Sequence, residues 1–258
     1  MVTANANSSG GGGAAAGVIE WHPAGILQDH PATTLHDPAH DSSPFALVIL
    51  NQPLREIRTL ERLWKNCATL DSDDLDVIIG DLDSLDDHVR QYYASDGRRT
   101  EIKHIADQYS TDFAKAVAHI RSTQPRPVDI VAMGGLGGRV DQGLSQLHHL
   151  YLFQEDPHYI QGRMFLLSGE SLTFLLKKGM HRIHVRNGRE EVFGKYVGII
   201  PVKEPSIIST KGLEWDVTDW KTEFGGLIST SNHVLPETEV VEIKTATDVL
   251  FTIALKQS

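Results

Sequence analysis

Two continuous apolar runs, Ala46-Leu47-Val48-Ile49-Leu50 and Val77-Ile78-Ile79, and a third, Val128 to Met133, broken only by Asp129, alternate with segments whose apolar residues recur at helical spacing. A run with no polar interruption suits a strand buried on both faces. Ile57, Leu60, Leu63 and Trp64 make one helical stripe. Val89, Tyr92 and Tyr93 make a second, Phe113, Ala116, Val117 and Ile120 a third, and Val140, Leu144, Leu147 and Tyr151 a fourth. Strand alternating with helix predicts an α/β unit, a mostly parallel sheet with flanking helices, and Ile102 with Ile105 marks a further short strand. After Gly162 the helical signal fades. Short β-like runs from Met164 to Leu255, separated by Gly or polar turns, predict a C-terminal antiparallel β-sandwich or flattened barrel. The expected organisation is a loosely attached or disordered tail over 1–43, an α/β catalytic domain over 44–162 and a β-sandwich domain over 163–258.

The tail expectation rests on composition. Residues 1–17 are mostly Gly, Ala, Ser and Asn, and the stretch to Ser43 scatters Pro23, Pro31 and Pro38 among His22, His30, His36 and His40. Those histidines lack close ligand spacing and any cysteine partner, so a metal site is not expected from them. The formal net charge of -10 over 258 residues argues against nucleic acid or an anionic membrane as a partner. Cys67 is the only cysteine, which excludes an intrachain disulfide and permits a reducing compartment. No apolar run is long enough to span a bilayer and no signal peptide is evident, so a cytoplasmic location is expected.

An acidic chain that handles phosphates must supply positive charge locally, from a metal ion, a few Lys/Arg and helix N-termini, and three segments bear on this. Gly80-Asp81-Leu82-Asp83-Ser84 follows a buried strand, where open α/β sheets place their ligands. If the segment is extended, Asp81 and Asp83 point the same way. Two carboxylates in reach of each other favour a shared cation, although a capped turn is the bland account. Ser110-Thr111-Asp112 reads as a helix start, with Lys115 three residues on. Taken alone, Asp112 and Lys115 are a surface ion pair; together they offer a metal ligand and a phosphate contact. Gly134-Gly135-Leu136-Gly137-Gly138-Arg139-Val140-Asp141 lets backbone N–H groups approach an anion beside a helix N-terminus. Arg139 adds a planar fork, and Asp141 is accounted for by the helix dipole alone. In the β half, Trp215 could stack on a flat heteroaromatic ring while Ser231 and Asn232 bond its edges, against the plainer reading of a core tryptophan and a turn. His148-His149 and His181/His184 read as ordinary packing or surface.

In this order the segments resemble eukaryotic, fungal-type thiamine pyrophosphokinases over about Phe45 to Leu255. The likeness rests on Asn51-Gln52-Pro53, Gly80 to Ser84, Asp107-Gln108 with Thr111-Asp112-Phe113 and Lys115, Gly134 to Gln142, Gly212 to Trp215 and Ser229 to Asn232. The resemblance implies transfer of pyrophosphate from ATP to the thiamine hydroxyl, giving thiamine diphosphate and AMP. It implies a homodimer whose active sites are shared between the α/β domain of one subunit and the β domain of the other. Residue by residue it implies Asp81, Asp83 and Asp112 as Mg2+ ligands, which with Lys115 form the catalytic set. It further implies Gln108, Thr111, Gly135, Gly137, Gly138, Arg139 and Asp141 around the ATP phosphates, and Trp215, Ser229, Ser231 and Asn232 in the thiamine pocket.

One departure from the family is evident. Its members carry an Ala-Asp-Gly-Gly-Ala-Asn-Arg-like motif after a strand that precedes the Gly80 strand. Here Trp64-Lys65-Asn66-Cys67 runs almost directly into Asp76-Val77-Ile78, and Ala68 to Leu75 holds no such motif. A strand-helix-strand crossover from Ala46 to Ile79 would still let the sheet close. The departure implies impaired catalysis, and the alternative is a thiamine- or nucleotide-binding subunit without turnover. A metal-dependent phosphohydrolase using Asp81 and Asp83 would leave the Gly134 loop and the Trp215 region unexplained.

Overall fold

The computed structural model describes residues 17–28, 45–50, 57–67, 75–188 and 190–256. Asn51-Gln52-Pro53, His30, His36, His40 and most of Ala68 to Leu75 lie outside them.

The described strands are β1 (Ile19–Trp21), β2 (Phe45–Ile49), β3 (Val77–Gly80), β4 (Glu101–His104), β5 (Asp129–Met133), β6 (Met164–Leu167), β7 (Ser171–Leu176), β8 (Gly179–His184), β9 (Phe193–Ile200), β10 (Ser206–Lys211), β11 (Trp220–Thr222), β12 (Ser229–His233), β13 (Val240–Thr245) and β14 (Val249–Leu255). The helices are α1 (Ala24–Leu27), α2 (Ile57–Asn66), α3 (Asp87–Tyr93), α4 (Asp112–Thr123) and α5 (Val140–Phe153).

A seven-stranded sheet runs β12-β9-β14-β7-β6-β5-β2. Its β2, β5 and β6 are parallel, and the strands from β7 onward are antiparallel. The α/β half and the sandwich therefore share one continuous ladder, joined at the β6-β7 hairpin. The apolar runs follow from this, because each central strand has two buried faces. Along β5 and β6, Val131, Met133, Phe165 and Leu167 enter one core cluster, while Ile130, Ala132, Met164 and Leu166 enter the other. The first cluster fills the space against the second sheet, β1-β8-β13-β10-β11; the second includes Phe113 and Val117 of α4 and Leu150 of α5.

Two expectations change. Residues 17–28, expected as loose tail, are built into the sandwich: β1 pairs in parallel with β8, and Trp21 is fully buried, stacked on Phe174 at 4.6 Å. Its indole N–H donates to His181 Nδ1 at 3.0 Å. Fully burying one such ring offsets the ordering of several residues, since a Trp→Ala change in a core costs about 3–5 kcal/mol. Composition missed this because one tryptophan weighs little in a window average.

The parallel strands also form two ladders where one was expected. Among the described residues β2 pairs only with β5, and β3 only with β4. Helix α4 packs against both β3 and β2, so the strands lie under one helix without a ladder bond between them. Among the described residues the strand-helix-strand segment from β2 to β3 therefore does not place its two strands in one hydrogen-bonded sheet.

Candidate active site

The acidic segment leaves β3 through Gly80. A Cβ on Gly80 would sit 2.6–2.7 Å from the Asp112 carboxylate, so only glycine admits this approach. Asp112 Oδ1 accepts the Asp81 N–H at 3.1 Å and Lys115 Nζ at 3.0 Å. Asp81 Oδ1 accepts the Asp83 N–H at 3.2 Å across Leu82, whose φ of 62° is left-handed. Strand alternation is thus not what gathers Asp81 and Asp83. A tight turn does so, in which the carboxylate replaces a backbone acceptor. That N–H of Asp83 holds the Asp81 carboxyl below its ordinary value, and the positive potential of Lys115 and His104 acts the same way.

Lys115 is buried, with a side chain 2 % exposed, and so is not half of a surface ion pair. Phe113 and Val117 are buried as well, on the nearly opposite side of α4, because residues two apart in a helix point about 160° away from each other. The Lys115 ammonium is turned onto Asp112. The carboxylates chain together through hydrogen bonds. The oxygens of Asp81, Asp83 and Asp112 do not, however, all come within 4.8 Å of one another; among the described residues that condition is met by Glu20, His22 and His184. The donor set of the aspartates still fits Mg2+, a hard cation that keeps several waters and takes one or two carboxylates plus substrate phosphates. The bonds on Asp81 and Asp112 use Oδ1, and Oδ2 of each is the atom a cation would take.

Thr111 caps α4, accepting the Ala114 N–H at 3.1 Å, and its hydroxyl also meets His149 Nε2 at 2.9 Å. The hydroxyl is therefore occupied in positioning the helix, not aimed outward at a phosphate. His149, which carried no message in the sequence, is 2 % exposed, and burial holds its imidazole below its ordinary pKa. Its Nδ1 donates to the Ser145 carbonyl, which only accepts, so Nε2 is the lone pair that receives the Thr111 proton. A helical i to i+4 spacing from Ser145 was the only signal for it. Asp107 organises the preceding loop, accepting from Tyr109 N–H at 2.9 Å and Ser110 Oγ at 2.5 Å, with Gln108 exposed between them.

After β5 the chain turns through Gly134, Gly137 and Gly138, all with positive φ. Gly135 has no room for a Cβ, which would lie 2.7 Å from Gln146 Cγ and Leu50 Cδ1. Arg139 precedes α5 and is exposed, with Nε and Nη2 on Asp141 Oδ1 and Oδ2 at 3.1 and 2.5 Å. A phosphate reaching this guanidinium competes with Asp141 for the fork.

On the sandwich, Ile208, Thr210, Trp215, Val217, Trp220, Ile228, Ser229, Thr230 and Asn232 line a pocket of about 180 Å³. Asp216 shapes its rim, accepting from Thr210 Oγ1 and from the N–H groups of Gly212 and Leu213. Trp215 is 55 % exposed, as a stacking platform requires. Asn232 is buried, and its amide brackets the Trp215 backbone, accepting from N–H at 3.2 Å and donating to C=O at 3.0 Å. It positions Trp215 and does not present its amide to a ring edge, because a buried amide must satisfy both its groups. Ser231 sits at φ 62° on an exposed bulge of β12. Trp220 completes the pocket from β11, a three-residue strand that the sequence reading did not anticipate.

Fold and site together define an α/β unit, with an acidic turn and a glycine-rich loop at its strand ends, fused to a β-sandwich with a tryptophan-walled pocket. Residues 57–161 match the thiamin pyrophosphokinase catalytic domain, and residues 180–250 match the thiamin pyrophosphokinase vitamin B1 binding domain. Thiamine pyrophosphokinase 3 of Oryza sativa subsp. japonica is 38 % identical over 187 residues, covering 70 % of this chain but 66 % of the relative's own length. Thiamine pyrophosphokinase 1 of the same organism is 34 % identical over 253 residues, covering 85 % of this chain and 90 % of the relative. The crystal structure of yeast thiamin pyrophosphokinase superposes with a TM-score of 0.73 at 22 % identity, covering 93 % of this chain and 92 % of that one. The chain belongs to the thiamin pyrophosphokinase family.

Proposed function

We propose that this chain transfers pyrophosphate from ATP to the hydroxyl of thiamine. The hydroxyl oxygen bonds the β-phosphorus as the bridge between the α- and β-phosphorus breaks; AMP leaves with the bridging oxygen, and the hydroxyl proton is released to solvent. The observation that carries the reading is Asp112, whose one oxygen ties the Asp81 loop to the buried Lys115 ammonium. Mg2+ held by Asp81 and Asp112, with Asp83 beside them, would supply charge to the polyphosphate. Lys115 and the amides of Gly135, Gly137 and Gly138 would stabilise charge on the transferred group, and Gln108 and Arg139 would contact the outer phosphates. Trp215, Trp220 and Ser229 would hold the thiamine rings.

The same reading includes a homodimer. The pocket borders β12 at one end of the seven-stranded sheet, while Asp112 and Lys115 lie on α4, which packs against β2 at the other end and against β3. Six strand intervals of about 4.8 Å separate β12 from β2 by roughly 29 Å along the sheet, a span that favours a site completed by a second chain. Val140 and Leu144 on α5, and Trp215, Phe224 and Leu227 on the sandwich, are exposed large apolar side chains of the kind an interface covers. A cytoplasmic enzyme is the setting that fits free ATP and thiamine; no described helix is long and apolar enough to cross a membrane.

The split between β2 and β3 favours a second reading, a subunit that binds thiamine or nucleotide without turnover. One experiment separates the two. The purified chain is incubated with thiamine and Mg-ATP, and AMP and thiamine diphosphate are quantified. Equimolar products support the transferase; thiamine binding by calorimetry with no AMP supports the binding subunit; free phosphate without thiamine diphosphate would overturn both.

A further inference from the structure

We propose that Glu20, His22 and His184 form a second, zinc-class metal site that fastens the N-terminal strand β1 to β8. Their ligand atoms all lie within 4.8 Å of one another, and none of the three belongs to the candidate active site. The parallel register sets Glu20 opposite Arg182 and Trp21 opposite Ile183, so one step further places His22 opposite His184. Trp21 turns into the core, and alternation therefore puts Glu20 and His22 together on the outer face with His184.

The contacts are those of a preassembled donor set. Glu20 Oε2 meets His184 Nε2 at 2.8 Å, and the His22 and His184 rings stack at 4.1 Å. Arg182 holds the other oxygen, Oε1, at 3.0 Å, which fixes the carboxylate while leaving Oε2 turned to the imidazole. Two imidazoles and one carboxylate are a donor set for Zn2+, with water completing a tetrahedron. Zn–N and Zn–O bonds of about 2.0–2.2 Å require the three groups to close inward, with the His22 ring turning out of its stack. The metal takes the place of the proton shared between His184 and Glu20, and that proton is released to solvent.

A staple here has a physical rationale. β1 is a three-residue edge strand with a single neighbour, held mainly by the Trp21 side chain. Donors from both strands turn a local contact into a bridge between residues about 160 apart in sequence. A ligand that binds only the folded form raises stability in proportion to the logarithm of its concentration over Kd.

The test is a titration of the full chain with Zn2+, in excess Mg2+ and without nucleotide or thiamine, followed by calorimetry and by the melting temperature. Co2+ serves as the spectroscopic probe. One equivalent is expected to bind, with a tetrahedral Co2+ absorption band. At a hundredfold excess over Kd it should raise Tm by roughly 5–10 °C. The double variant His22→Gln/His184→Gln should lose about 100-fold in affinity and the Co2+ band, whereas the triple variant His30→Gln/His36→Gln/His40→Gln should keep both. Arg182→Gln, which frees Oε1 for the metal, should tighten binding, a gain that misfolding does not mimic. No binding to the full chain, loss in the triple variant with retention in the double one, or weaker binding by Arg182→Gln would each overturn the proposal. Every readout is independent of pyrophosphate transfer.

Discussion

Thr111 and His149 are joined by a 2.9 Å hydrogen bond across 38 positions of sequence, and it ties the start of α4 to the third turn of α5. The hydroxyl donates to Nε2 and accepts from the Ala114 N–H, so a single oxygen closes the helix cap and the interhelical contact. Asp112 and Lys115 follow directly on the fixed end of α4. Their placement therefore depends on a histidine that touches neither of them.

Thr111→Ala removes the cap and leaves a buried ring nitrogen without its donor. Loss of a cap costs about 1 kcal/mol and an unsatisfied buried group about 1–3 kcal/mol. Urea unfolding is expected to show a loss of roughly 2 kcal/mol for Thr111→Ala. Thr111→Ser, which restores the hydroxyl, should stay within about 0.5 kcal/mol of wild type.

His149 and His181 are both buried, and burial holds both below the ordinary imidazole pKa. His181 accepts the Trp21 indole N–H on Nδ1 and donates from Nε2 to the Lys177 carbonyl, again a neutral ring. The unfolded chain takes up protons near pH 6.5 while the folded rings do not. Their contribution is thus fully present above that pH and is lost as pH falls toward the depressed folded values. Unfolding midpoints at pH 7.5, 6.5 and 5.5 should decline with acidification, and His149→Gln should flatten the slope. An unchanged slope would show that the ring is not held neutral.

Gly80→Ala introduces a methyl 2.6–2.7 Å from the Asp112 carboxylate, at the point where two loops of the site meet. Overpacking of this kind costs about 1–3 kcal/mol and shifts what it strikes. AMP release should fall by roughly 100-fold or more while the protein remains folded, since misplacement of about 1 Å at reacting groups has that effect. Gly137→Ala meets no atom within 4 Å, so its effect comes only from the backbone at φ +137° and should be milder.

Complementation between inactive variants tests whether sites are shared. Asp112→Asn disables the acidic loops and Trp215→Ala the pocket, and each protein alone should show little turnover. Mixed and allowed to exchange subunits, they should regain activity, because a heterodimer pairs one intact set of loops with the partner's intact pocket. A mixture as inactive as its components would place each site within one chain.

Much of the architecture was legible in the residues. The apolar run Ala46 to Leu50 lies along β2, Val128 to Met133 along β5, and the stripe Phe113, Ala116, Val117 and Ile120 on α4. These elements are fixed by local periodicity, which a reader of the chain can count. The segments rich in Gly and Asp were visible too, because glycine and acidic side chains at strand ends are a local signal.

Long-range pairing was not legible, for a physical reason. Whether β3 joins β2 depends on which edge finds a partner, and strand sequence alone does not encode its neighbour. The burial of Trp21, the turn of Asn232 onto the Trp215 backbone and the meeting of His22 with His184 each join residues far apart along the chain. The sequence by itself determined the elements and the chemistry available at their ends. Only the tertiary structure decided which of those groups face each other, because a side chain's role is set by the neighbours that folding brings to it.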